Sequence, residues 1–107
     1  MKPLNIVVLV GTVAAEPVER RLPDGSQVTE YRVSVPEEGM RLLPLPVVAT
    51  GRPSAAKGDG VTVTGKLHRR FYRSGAGARS LTEVRAESVE VNEPAVVEDV
   101  PSRASSS

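Results

Sequence analysis

The run Gly58-Asp59-Gly60-Val61-Thr62-Val63-Thr64-Gly65-Lys66-Leu67-His68-Arg69-Arg70-Phe71-Tyr72-Arg73 decides how the rest of the chain is read. Glycine tolerates positive φ and Asp59 can bond its own downstream backbone, so Gly58-Asp59-Gly60 is a turn with a strand after it. From Val61 the pattern alternates. Val61, Val63, Gly65 and Leu67 point one way and Thr62, Thr64, Lys66 and His68 the other, which is the period-2 signature of a half-buried strand. An isolated glycine inside such a run marks a bulge, a bend or a close backbone approach, and a small closed barrel needs a bend of this kind. Beyond Leu67 the character changes: Arg69, Arg70 and Arg73 surround Phe71 and Tyr72 where the strand is expected to run out into a loop. Guanidinium groups for phosphates and flat rings for bases are the combination that binds unpaired nucleic acid. The plain alternative is a solvated hairpin tip with one ring tucked into the core.

The other segments supply partners for this strand. Leu4 to Val13 is an almost continuous apolar run with Gly11 inside it, expected as a strand buried on much of both faces or bent midway. Pro17 and then Leu22-Pro23-Asp24-Gly25-Ser26 end it, and a second strand begins near Gln27. Thr29, Tyr31, Val33 and Val35 share one of its faces, which turns Tyr31 inward as a core ring with its hydroxyl at the rim. A third strand covers Leu42 to Thr50, with Pro44 and Pro46 making its first half irregular. Gly51 to Lys57 has room for one turn of helix starting at Pro53. After the organising strand, Ser74-Gly75-Ala76-Gly77-Ala78 forms a small-residue hairpin tip. A last strand runs from about Ser80 to Val91. Thr82, Val84 and Ala86 differ in parity from Val89 and Val91, so a bulge near Glu87 is required.

Five short strands, two glycine-marked bends and no long amphipathic helix predict an all-β fold, a five-stranded Greek-key barrel of the OB type, with an SH3-like barrel as the alternative. The barrel is expected over 1–92 and a disordered acidic and serine-rich tail over 93–107. The chain has 107 residues, 39% of them hydrophobic, which suffices for one core. It has no cysteine, excluding disulfides and thiolate metal sites. The N-terminal apolar run is too short for a membrane span and lacks a signal-cleavage site, so the expectation is a cytoplasmic protein with no membrane contact. Net charge is only +1, but Lys57 to Arg85 carries +5 and the chain from Ala86 onward −4. A basic middle with an acidic tail fits a polyanion-binding body.

Five blocks in order resemble the bacterial single-stranded DNA-binding protein family. They are Asn5-Ile-Val-Val-Leu-Val-Gly-Thr-Val with Glu16-Pro17-Val18, Val28-Thr-Glu-Tyr-Arg-Val-Ser-Val, Pro46-Val-Val-Ala-Thr-Gly, Lys57-Gly-Asp-Gly-Val-Thr-Val-Thr-Gly-Lys-Leu, and Thr82-Glu-Val-Arg-Ala-Glu-Ser-Val-Glu-Val. The resemblance implies an OB-fold that assembles as a dimer or tetramer and binds single strands without sequence preference, at the nucleoid, in replication, recombination and repair. No cofactor is implied. Tyr72 falls where the family has a stacking aromatic, and Thr50 where it usually has a tryptophan. The helix between the third and fourth strands is cut to a fragment. The acidic, phenylalanine-tipped end that recruits repair partners is absent, with Glu98-Asp99-Val100-Pro101 only an echo of it.

The candidate binding residues are Tyr72 and Phe71 for stacking and Arg69, Arg70, Arg73, Lys66, Arg79 and Arg85 for phosphates, with Arg32 and Arg52 further out. Phe71 and Tyr72 are adjacent and diverge if the strand continues, so one is expected to stack and the other to pack. Only three aromatic residues are present, so cations must carry more of the binding and its salt dependence should be steep. RNA remains open, since nothing in these residues senses a 2′-hydroxyl. One histidine, no cysteine and no phosphate-binding glycine loop argue against an enzyme. The remaining alternative is an OB-fold adaptor that oligomerises or binds protein and has given up DNA.

Overall fold

Val61 and Val63, the inward pair of the organising strand, are completely buried at the centre of a closed sheet. The structure is a computed structural model that describes residues 2–39 and 44–92; the expectations for the tail and for a strand start at Leu42 lie outside these residues. Six strands follow in order: β1 (Val7–Val13), β2 (Val18–Arg21), β3 (Gln27–Ser34), β4 (Leu45–Thr50), β5 (Gly60–Ser74) and β6 (Gly77–Val91). Their order in the sheet is β1-β5-β6-β4-β3-β2, and a second pairing of β1 with β3 closes the ring. Only β4 and β6 run parallel; every other pair is antiparallel. This is an all-β barrel of the OB type, and no helix among the described residues is long and apolar enough to cross a membrane.

The core is a set of β-branched side chains presented at every second position. Val13, Val33, Val47, Val61, Val63 and Val84 are each at most 1% exposed, and Tyr31 lies among them. Tyr31 is inward as its parity requires, and its hydroxyl accepts a hydrogen bond from the Ser54 backbone N–H at 2.8 Å. Pro53 starts no helical turn. The backbone donors of the β4–β5 connection are taken locally, Ser54 by Tyr31 and Ala56 by the Asp59 carboxylate at 2.9 Å, and Ala55 is driven into the barrel end.

The glycine-marked bends are where the ring turns. β1 pairs with β5 as far as Thr12 and with β3 at Thr12 and Val13, so Gly11 sits where the strand passes from one neighbour to the other. A Cβ on Gly11 would run into the Ser34 carbonyl oxygen. On β6, Ser88 pairs with Thr64 and Ala86 with Gly65, leaving Glu87 as the extra residue of the expected bulge.

Three local expectations change. β1 is not buried on both faces: Val8 and Val10 point out and are 61% and 60% exposed. The stretch Arg69 to Arg73 is not a loop, because β5 stays paired with β6 as far as Ser74↔Gly77 around a two-residue turn, with Gly77 at φ 118°. A sixth strand, β2, folds back on β3 about the Pro23-Asp24-Gly25 turn, from Val18↔Glu30 to Arg21↔Gln27. All four β2 residues are exposed, so no apolar alternation announces it.

Candidate nucleic-acid interface

Two hairpins project from the barrel and leave a groove of about 400 Å³ between them. Adjacent strands β3 and β4 supply its floor, Val28, Val48 and Thr50; the β2–β3 hairpin contributes Arg20 and Leu22, and the β5–β6 hairpin contributes Arg70, Glu83 and Arg85. Both hairpins are fixed by local chemistry. At the β2–β3 turn, the Ser26 hydroxyl and backbone N–H donate to the Asp24 carboxylate at 2.6 and 2.9 Å, which holds that carboxyl below its ordinary pKa. At the root of the other hairpin, the Asn5 side-chain amide imitates a strand: it donates to the Leu67 carbonyl at 2.8 Å and accepts from the Leu67 N–H at 2.9 Å.

Because opposite residues of an antiparallel ladder share a face, the register sorts the candidate residues. Lys66↔Arg85, His68↔Glu83, Arg70↔Leu81 and Tyr72↔Arg79 lie on one face of the β5–β6 ladder, the one that reaches the groove through Arg70, Glu83 and Arg85. Arg69, Phe71 and Arg73, opposite Thr82, Ser80 and Ala78, lie on the other. Arg32 shares the outer face of β3 with Glu30, and Arg52 is exposed in the β4–β5 connection beyond Thr50. The two rings diverge as expected, but neither packs into the core: Phe71 is 75% exposed and Tyr72 46%.

The groove is less purely basic than the sequence suggests. Glu30 lies between Arg20, at 3.1 Å, and Arg32, at 3.9 Å; Glu83 lies between Arg70, at 3.5 Å, and Arg85, at 3.8 Å. Each carboxylate thus holds two guanidinium groups in place and takes part of their charge. Arg85 also donates to His68 Nε2 at 2.9 Å. A guanidinium has no acceptor, so this contact needs His68 neutral with its proton on Nδ1. Lys66 opposite Arg85 is a like-charge pair, unfavourable on an empty sheet and relieved by a bound anion.

Sequence reasoning missed Arg20, Glu30 and Glu83 as groove residues. Arg20 was legible only through the hairpin symmetry of Val18–Arg21 and Gln27–Glu30 about the Asp24-Gly25 turn. Glu83 has the outward parity of Arg85, which places it on the cationic face.

No family model and no curated protein matches the sequence. Solved structures do. The second single-stranded DNA-binding protein of Mycobacterium smegmatis is 28% identical, with a TM-score of 0.64 over 83% of this chain and 87% of its own. The single-stranded DNA-binding protein of Plasmodium falciparum, solved in complex with single-stranded DNA, is 20% identical, with a TM-score of 0.68 over 87% of this chain and 98% of its own. Over most of its length the chain is therefore similar in structure to single-stranded DNA-binding proteins, as an all-β barrel of the OB type.

Proposed function

We propose that the protein binds single-stranded DNA, largely indifferent to sequence, along the groove between the β2–β3 and β5–β6 hairpins. The observation that carries this is the placement of Lys66, Arg70, Tyr72, Arg79 and Arg85 on one face of a ladder that reaches the groove. A strand laid there meets phosphate partners at spaced positions and one half-exposed ring on which a base can stack. The likeness to proteins of this kind, one of them solved with single-stranded DNA, supports the same reading. Phe71, on the far face, serves a strand that wraps the arm. No chemistry is assigned.

The test is a fluorescence titration with a mixed-sequence single-stranded oligonucleotide over a range of salt. Log K should fall steeply with log salt, because each phosphate neutralised releases counterion. Tyr72→Ala should weaken binding by about 1–3 kcal/mol at any salt. A flat salt response, or binding that ignores Tyr72→Ala, counts against the groove as the site.

A homo-oligomer belongs to the same proposal. Val8 and Val10 on the outside of β1, with Leu4 and Ile6 just before it, are apolar and each at least 60% exposed. From Val7 to Gly11 that strand is paired, among the described residues, only with β5. An uncovered apolar row beside an open strand edge is a surface that a second copy of the chain fits. DNA replication, recombination and repair are the processes such a binder serves.

A further inference from the structure

Building on the function proposed above, we propose that Glu83 is a built-in competitor of DNA phosphate. It is the counter-ion that Arg70 leaves when a strand enters the groove, and it thereby limits how tightly the strand is held. Glu83 is 4% exposed and stands in the groove wall between Arg70 and Arg85. Its Oε1 is buried and accepts no hydrogen bond. The Arg70 Nε lies 3.5 Å from that oxygen and the Arg85 Nε 3.8 Å from the other, close enough to balance charge but too far for a good hydrogen bond. The two arginines are not equally free to leave. Arg85 also donates to His68 Nε2 at 2.9 Å, whereas Arg70, with its side chain half exposed, has no partner but Glu83 among the described residues. On the opposite wall Arg20 is hydrogen-bonded to Glu30 at 3.1 Å. Of the paired guanidinium groups that line the groove, Arg70 is therefore the one whose tie is Coulombic alone.

Phosphate offers Arg70 what Glu83 does not. A guanidinium makes short, charge-assisted hydrogen bonds to phosphate oxygens, often two at once. The other side of the exchange carries a cost. A carboxylate this deeply buried is destabilised when a cation is withdrawn from it, and once Arg70 has moved only Arg85 remains beside Glu83. Every strand that binds meets this cost and every strand that leaves recovers it, so the exchange shortens the life of the complex. It involves only the backbone of the strand and is the same for every base sequence.

Glu83→Gln, which keeps the shape of the side chain and removes its charge, tests this by fluorescence anisotropy with a mixed-sequence single-stranded oligonucleotide over a range of salt. The expected result is binding tighter than wild type by about threefold or more. The salt slope should steepen by about 0.7, because Arg70 then neutralises one phosphate without unmasking a carboxylate. Glu90→Gln removes the same charge from β6 opposite Thr62 rather than His68, roughly 20 Å along the ladder and beyond a Debye length of about 10 Å at 0.1 M salt, and should change neither quantity. Glu83→Gln added to Arg70→Ala should leave the slope of Arg70→Ala as it is. In the wild-type chain, the Arg70 Nε–H resonance should shift as the oligonucleotide is titrated in, a readout that depends on no variant folding. Weaker or unchanged binding by folded Glu83→Gln overturns the proposal and makes Glu83 no more than a support for the two arginines. An equal gain from Glu90→Gln, a slope that still steepens without Arg70, or an unmoved Arg70 resonance overturns it as well, in each case leaving strand binding intact. Failure of the wild-type chain to bind any oligonucleotide overturns the proposed function with it.

Discussion

Gly65 is the residue that the barrel can least replace. A Cβ there would meet the Arg85 carbonyl oxygen, with the Ala86 Cα at 2.8 Å and the Arg85 carbonyl carbon at 2.9 Å. All three are backbone atoms of the strand to which β5 is hydrogen-bonded, so nothing can rotate away. Gly65→Ala should cost about 3 kcal/mol, the upper end for an overpacked core, and lower the thermal midpoint accordingly. A melt unchanged from wild type would mean that β6 can shift at its bulge. Gly65 was legible in the sequence because a glycine inside a β-branched run has few other reasons to be there. Glu83 was not. Parity places it on the outer face, but only the β5–β6 register sets Arg70, from the neighbouring strand, and Arg85, from its own, around the carboxylate. Likewise, Tyr31 could be assigned inward from its neighbours, whereas its hydrogen bond to Ser54 joins residues whose proximity no local pattern encodes.

At the scale of elements, the β5–β6 hairpin acts as a two-faced ribbon, and the distinction matters because the candidate cations are divided between the faces. Lys66 and Arg79 lie on the groove-reaching face, and Arg69 and Arg73 on the other; none of the four is in an ion pair among the described residues. Double alanine variants of the two pairs remove the same charge from the same ribbon. If the strand follows the groove, Lys66→Ala with Arg79→Ala should reduce the magnitude of the salt slope by about 1.4, from two lost phosphate contacts, and Arg69→Ala with Arg73→Ala by about 0.7 or less. Equal reductions would mean that the strand wraps the arm, or that binding is a diffuse charge effect. The bulge at Glu87 was legible, since two apolar sets of opposite parity cannot both face inward without an extra residue. The length of the ladder was not. Both faces of its outer half are exposed, so no burial pattern separates a paired strand from a loop there, and the two-residue turn and Gly77 at φ 118° keep it paired.

For the whole molecule, the open flank of β1 sets the next level of organisation. Ile6, Val8 and Val10 already bury part of their area against their own sheet, so covering the rest in two chains contributes about 5 kcal/mol. That is at the low end of the cost of association, so apolar contact alone makes a weak dimer. The free N–H and C=O groups of Val7 to Gly11 provide what is missing, because antiparallel pairing of two such edges adds a ladder and aligns the two apolar rows. Light scattering across a concentration series should accordingly give a dimer or a higher assembly for the natural chain. It should give a monomer for Val8→Lys with Val10→Lys, which places four like charges at the joint while leaving the inward residues of β1 untouched. The two substituted positions lie on the flank away from the groove-lining residues, so the variant should keep its intrinsic affinity for an oligonucleotide spanning a single groove and lose affinity on long strands, where linked copies raise the effective concentration. A natural chain that scatters as a monomer at every concentration would show the row to be no interface between copies, and a variant that loses short-oligonucleotide binding as well would place part of the DNA path on β1.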